Sequence, residues 1–79
     1  MDDEIEIENS PLSREIVRDG VTVDIRIYRG SDDEAWLLEV VNERNTSIVW
    51  DEQFPTDQAA LNEALREIEE EGIAVFLDP

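Results

Sequence analysis

The fold is decided by residues 19–28, which read DGVTVDIRIY. The segment starts with Asp19-Gly20, a pair typical of a two-residue β-hairpin turn, because glycine accepts the positive φ that this turn requires. From residue 21 onward apolar and polar residues alternate, which predicts a half-buried antiparallel strand. The apolar set is Val21, Val23, Ile25 and Ile27, and the polar set is Thr22, Asp24, Arg26 and Tyr28.

One strand before the turn completes this hairpin, and two later strands extend it into a meander. A short strand is expected at residues 15–18, and apolar runs predict two more at residues 35–42 and 46–51. Because the connections are short, the strands should pair in the order of the sequence. In the third strand Leu38 should face one way and Leu37 the other.

A helix is predicted after the last strand. Pro55 ends the sheet, Thr56 is the expected N-cap, and Gly72 is the expected terminator. Between them, apolar residues recur with helical spacing at Leu61, Ala64, Leu65 and Ile68. The apolar residues at 73–77 should dock on the body of the protein. The predicted fold class is α+β: a four-stranded antiparallel β-meander with one C-terminal α-helix packed on one face.

The first thirteen residues differ from the rest in charge. Residues 1–13 carry five acids and no base, whereas residues 14–79 carry seventeen acids and six arginines, a net charge of −11. Residues 5–8 alternate like a short strand, but like charges repel along this segment. We therefore expect 1–13 to be an acidic, disordered tail and 14–79 to be a single ββββα domain.

The whole chain has a formal net charge of −16, with 22 acidic residues, six arginines and no lysine, histidine or cysteine. A balance this acidic disfavours direct contact with nucleic acid or an anionic membrane. Function, a genome that favours arginine codons, and adaptation to high salt all remain open as explanations. The acidic start and the lack of a long apolar run lead us to expect a cytoplasmic protein.

The same composition argues against catalysis. Histidine, cysteine and lysine supply most of the groups that titrate or attack near neutral pH, so we expect no enzyme, no catalytic residue and no cofactor. The loop Asp32-Asp33-Glu34 offers oxygen atoms, but its spacing is not that of an EF-hand, and we expect a solvated turn and no metal site. A metal-dependent hydrolase built on carboxylates is a less favoured alternative.

Two groups of residues are candidates for a partner surface. One is a partly apolar, outward sheet face, and the other is a cluster of glutamates at the helix C-terminus, where the helix dipole disfavours negative charge by about 0.3–1 kcal/mol per group. The candidate residues are Arg26, Tyr28, Leu37, Val41 and Val49 on the sheet, and Glu67, Glu70 and Glu71 on the helix.

These features lead to one functional hypothesis and one alternative. The first is a non-enzymatic cytoplasmic protein-interaction module that binds a protein partner or forms a homodimer, without direct contact to nucleic acid or membrane. The alternative is an acidic nucleic-acid mimic that inhibits a basic DNA- or RNA-binding protein, and such binding would weaken steeply with salt.

Residues 50–61, WDEQFPTDQAAL, resemble the strand-to-helix junction of small, uncharacterised acidic bacterial proteins of about this length. The resemblance would extend over residues 14–77. It implies the same domain boundaries and a four-stranded meander with a helix, and it carries no activity.

Overall fold

A five-stranded antiparallel sheet with one long helix forms the protein. The computed structural model describes residues 6–77. Strand β3 pairs with β4 along one side and with both β1 and β2 along the other, and β5 pairs with β4. The strands are β1 (Ile7–Asn9), β2 (Arg14–Arg18), β3 (Val21–Gly30), β4 (Leu37–Asn42) and β5 (Ser47–Val49). Helix α1 (Asp57–Glu71) and a 3₁₀ helix (Ile73–Phe76) follow, which confirms the α+β class.

The hairpin at residues 14–30 has the predicted turn. Asp19 and Gly20 both have positive φ, at 52° and 77°, as a type I′ turn requires. Arg18 and Val21 then face each other as the first residue pair of β2 and β3. In the turn between β4 and β5, Asn45 has a φ of 65°, the left-handed conformation that asparagine tolerates.

The predicted count of four strands is wrong by one. The additional strand is β1, in a segment that the charge pattern assigned to a disordered tail, and residues 1–5 of that tail lie outside the described residues. Strand β1 pairs antiparallel with the end of β3, where Glu8 lies opposite Arg29. The Glu8 carboxylate accepts a hydrogen bond of 2.9 Å from Arg29. The charge count along residues 1–13 did not include this arginine, which is 21 positions from Glu8.

Strands β1 and β2 lie along the same edge of β3, separated by a break around Pro11. The Ser10 N–H donates to the Ile27 carbonyl at 2.8 Å. The Ser13 hydroxyl accepts from the Ile27 N–H at 3.0 Å and donates to the Ile27 carbonyl at 3.2 Å. A serine side chain thus takes a place that a strand backbone would otherwise fill, and the edge continues past the proline.

The core lies between the sheet and the helix. The inner face of the sheet contributes Val23, Ile25, Ile27, Leu38 and Val40, each at most 1% exposed. The helix covers this face with Ala60, Leu61, Ala64 and Ile68, and the edges are closed by Trp36, Phe54, Ile73 and Phe76. The period-two pattern of β3 and β4 therefore predicted the buried face correctly.

Helix α1 begins and ends as the sequence predicts. The Thr56 hydroxyl oxygen accepts a hydrogen bond of 3.0 Å from the Ala59 N–H, which satisfies one free donor of the first turn. At the other end Gly72 has a φ of 88°, and its N–H donates to the Ile68 carbonyl at 3.0 Å. The 3₁₀ helix that follows docks on the core, as expected for its apolar residues.

One buried side chain holds the C-terminal segment to the sheet. Asn42, 3% exposed at the end of β4, donates from its amide nitrogen to the Phe76 carbonyl at 2.8 Å. Its amide oxygen accepts from the N–H groups of Arg44 and Thr46, at 2.8 and 3.0 Å. The same residue therefore orders the β4–β5 turn and fixes the 3₁₀ helix.

Candidate interaction surface

The sheet face opposite the helix is the candidate surface, and we call it the open face. Residue pairing across the strands determines its members, because directly opposed residues point to the same side. The open face consists of Ile7 and Asn9 from β1, Glu15 and Val17 from β2, Thr22, Asp24, Arg26 and Tyr28 from β3, Leu37, Glu39 and Val41 from β4, and Ser47 and Val49 from β5.

Apolar side chains are spread over this face. Ile7, Val17 and Val49 are 60%, 61% and 51% exposed, respectively, and they are three of the four large apolar residues that are exposed within residues 6–77. Tyr28 and Leu37 are half-buried and lie opposite each other on β3 and β4. The predicted sheet residues Arg26, Tyr28, Leu37, Val41 and Val49 are thus brought together on one face.

Tyr28 and Glu39 are neighbours on β3 and β4, towards one end of the open face. Partial burial is the largest reason that the pKa of Tyr28 lies above its usual value of 10.0, and the charge and hydrogen bonding of Glu39 raise it further. Arg26 acts in the opposite direction. The Tyr28 hydroxyl is therefore protonated at neutral pH and can donate a hydrogen bond to a carboxylate or a backbone carbonyl.

A shallow depression of about 170 Å³ lies at the other end of the open face. Its walls include three carboxylates, from Glu15, Asp24 and Glu43, and one arginine, Arg26. Arg26 forms an exposed ion pair with Asp24 at 3.3 Å. Glu43 accepts a hydrogen bond of 3.0 Å from the Thr22 N–H, so this carboxylate is held at the rim.

The glutamates at the helix C-terminus form a separate cluster. Arg66 pairs with Glu63, Glu67 and Glu70, at 2.8, 3.6 and 3.1 Å, and these carboxylates raise its pKa, Glu63 most strongly. Arg18 of β2 pairs with Glu69 at 3.1 Å.

The structure therefore divides the predicted partner surface in two, because Glu67, Glu70 and Glu71 belong to the helix that covers the opposite side of the sheet. Within residues 6–77, Glu71 is the one member of the Glu69–Glu71 run without an arginine partner. The ion pairs of Glu69 and Glu70 make the electrostatic potential at the helix end less negative, whereas a nucleic-acid mimic would need a strongly negative potential there.

The described part of the chain contains no cluster of metal-ligating side chains. Among residues 6–77, no group of three or more acidic side chains is placed to hold a metal ion. Asp32, Asp33 and Glu34 are exposed in the loop after β3.

The sequence prediction named five of the thirteen residues of the open face, and Glu15, Val17 and Ile7 are among those it omitted. Glu15 and Val17 follow from the hairpin register, since they lie opposite Asp24 and Thr22, and extrapolation from the Asp19-Gly20 turn would have found them. Ile7 had a weaker signal, because it belongs to a strand that was expected to be disordered, and so had Glu43 at the rim of the depression, because it lies in a turn.

Within residues 6–77, no helix has the length and apolar character needed to cross a membrane. Comparison of the chain with known protein families, curated proteins and solved structures gives no match. The resemblance of residues 50–61 to small acidic bacterial proteins is therefore unsupported.

Proposed function

We propose that this protein is a non-enzymatic, cytoplasmic protein-interaction module whose partner binds the open face. The observation that carries the proposal is the contrast between the two faces of one sheet. The inner face is buried under the helix, the 3₁₀ helix and the aromatic side chains at its edges, whereas the side chains of the opposite face are all half-buried or exposed. A partner, either another protein or a second copy of the chain, would cover it.

The hydrophobic core is formed without side chains of the open face. Its buried residues come from the inner positions of β3 and β4, from the helix and from the segments that follow. The apolar side chains at Val17, Leu37 and Val49 thus add little to folding, yet they leave apolar area in water. Each Å² of apolar area that a partner removes from water contributes about 25 cal/mol.

The chemical mixture of the open face also fits protein recognition. Tyrosine and arginine are enriched in protein interfaces, and the face presents Tyr28 and Arg26 beside aliphatic residues. Tyr28 supplies a protonated hydroxyl next to an apolar ring, so it can bury area and donate a hydrogen bond at once.

The test is capture of partners by the purified chain from a lysate of its source organism, followed by mass spectrometry. Val49→Glu places a charge on the open face at an exposed position, so the fold should be retained. Leu37→Glu is a second variant on the open face, opposite Tyr28. The matched control is Val75→Glu, because Val75 is also an exposed apolar residue but lies on the 3₁₀ helix.

We expect a protein that the unmodified chain and Val75→Glu retain and that both open-face variants lose. Sedimentation of the purified chain separates a homodimer from a complex with a different protein. Recovery of nothing from the lysate together with a monomer in solution contradicts the proposal, as does equal loss in all three variants.

A further inference from the structure

The open face has two ends of different chemistry. At one end Tyr28 and Leu37 are opposed across β3 and β4, and Ile7 lies on the neighbouring strand at 60% exposure. At the other end lies the depression, with the carboxylates of Glu15, Asp24 and Glu43 at its walls beside Val41, and Val17 is close by, opposite Thr22. A partner that fits the face must therefore present apolar groups along it and positive groups to the depression.

The charge on this face is unbalanced. Three carboxylates of the face, from Glu15, Asp24 and Glu39, and a fourth at its rim, from Glu43, stand against Arg26, the one arginine of the face. Arg26 already pairs with Asp24, and the chain as a whole has a formal net charge of −16. Two such faces brought together would repel, whereas a cationic partner is attracted both at long range and at contact.

The size of the face also suits a short segment. From Thr22 to Gly30, which lies opposite Ile7, the face runs about 26 Å along β3, and four strand positions make it about 14 Å wide. An extended segment of about eight residues has the same length.

We propose that the open face binds a short, basic, amphipathic segment of a different protein, with apolar residues against Tyr28 and Leu37 and an arginine or lysine in the depression beside Asp24. This inference rests on the protein-binding function proposed above and specifies the partner. Tyr28, beside Leu37, and Asp24, in the depression, are four residues apart along β3, about 13 Å. In an extended segment, the basic residue should therefore lie about four positions from the apolar anchor.

The experiment uses the full chain, labelled for NMR, and three synthetic ten-residue peptides tested in both sequence directions. The first has two leucines four positions from two arginines. The second replaces the arginines with glutamates, and the third replaces the leucines with serines. Amide signals of Thr22, Arg26 and Val41 report on the open face, and those of the helix report on binding elsewhere.

The first peptide should shift the open-face signals and bind about tenfold more tightly than either of the others. The double variant Glu15→Gln/Asp24→Asn should weaken its binding by about three- to tenfold, since each lost exposed ion pair contributes a small factor. The control is Asp32→Asn/Asp33→Asn, which removes two charges from an exposed loop and should leave the affinity unchanged. Binding should also weaken between about 0.05 M and 0.5 M salt.

Three results overturn the inference: no binding by any peptide, equal binding with and without leucines, or shifts confined to the helix. The proposed function is judged separately by the lysate capture. A partner that Val49→Glu abolishes but Glu15→Gln/Asp24→Asn leaves intact would keep the function and remove this inference. A failed capture together with a monomer in solution would remove the function itself.

Discussion

Two successive leucines of β4 show how differently the sheet uses its two faces. Leu38 is 0% exposed, lies opposite Ile27 and is covered by the helix, whereas Leu37 is half-buried opposite Tyr28 on the open face. The two residues have the same side chain and the same strand, and only the alternation of the backbone separates them. The comparison teaches that the inner face holds the fold together, whereas the open face leaves apolar side chains partly in water.

The largest effect should come from truncating the two leucines in turn. Leu38→Ala should reduce the free energy of unfolding by about 2–5 kcal/mol, because it leaves a cavity in a packed core. Leu37→Ala should cost about 1 kcal/mol or less, because less area is removed from a half-open site. Urea denaturation of both variants measures the difference, and equal costs would break the comparison.

A substitution at Asn42 tests whether its side-chain hydrogen bonds hold the 3₁₀ helix against the sheet. Asn42→Ala should cost about 1–3 kcal/mol, because the Phe76 carbonyl and two turn N–H groups lose their partner. The control is Asn62→Ala on the exposed side of the helix, where a change within about 0.5 kcal/mol is expected. A similar small change at Asn42 in denaturant titrations would show that the 3₁₀ helix is held by apolar packing alone.

Ser13 tests the edge where β1 joins the sheet. Ser13→Ala should cost about 0.5–1.5 kcal/mol, because the hydroxyl bonds both the N–H and the carbonyl of Ile27. Hydrogen exchange should speed up first in the β1 amides, and Ser31→Ala in the exposed loop should leave them unchanged. Unaltered exchange in β1 would mean that the Glu8–Arg29 pair holds the strand without the serine.

The smallest effect concerns the proton on Tyr28. Its pKa is raised above 10.0, so its contribution to stability is present below pH 10 and is lost as the pH rises through the folded-state pKa. Glu39→Gln should lower the pKa only partly, because burial is the larger cause, and Glu34→Gln should not change it. The chain has one tyrosine, so ultraviolet titration of tyrosinate reads this residue alone. An unchanged pKa in Glu39→Gln would exclude the contact between the two side chains.

Local signals explain what the sequence predicted well. The positive φ at Gly20, the alternation in β3 and the N-cap at Thr56 each depend on neighbours within a few residues. The hairpin, the buried face and the helix can therefore be predicted from the sequence without knowledge of the whole fold.

Distant pairings explain what it missed. Strand β1 pairs with the end of β3, where Glu8 bonds Arg29, 21 positions away, and the glutamates near the helix end are partly neutralised by Arg18, which is 51 positions from its partner Glu69. Such contacts depend on which residues the fold brings together, and a count of charges along the sequence does not reveal this. Among the carboxylates of the depression, Glu43 was missed for the same reason, since it meets the Thr22 N–H from a turn 21 positions away.

The central claim is that a protein partner covers the open face, and site-specific crosslinking tests it most directly. The chain contains no cysteine, so Val49→Cys and, on the exposed side of the helix, Gln58→Cys each provide one unique attachment point for a photoreactive maleimide. After illumination in the native lysate, we expect a crosslinked protein from Val49→Cys and none of that mass from Gln58→Cys. Equal crosslinking from both positions, or crosslinking from the helix alone, would contradict the account.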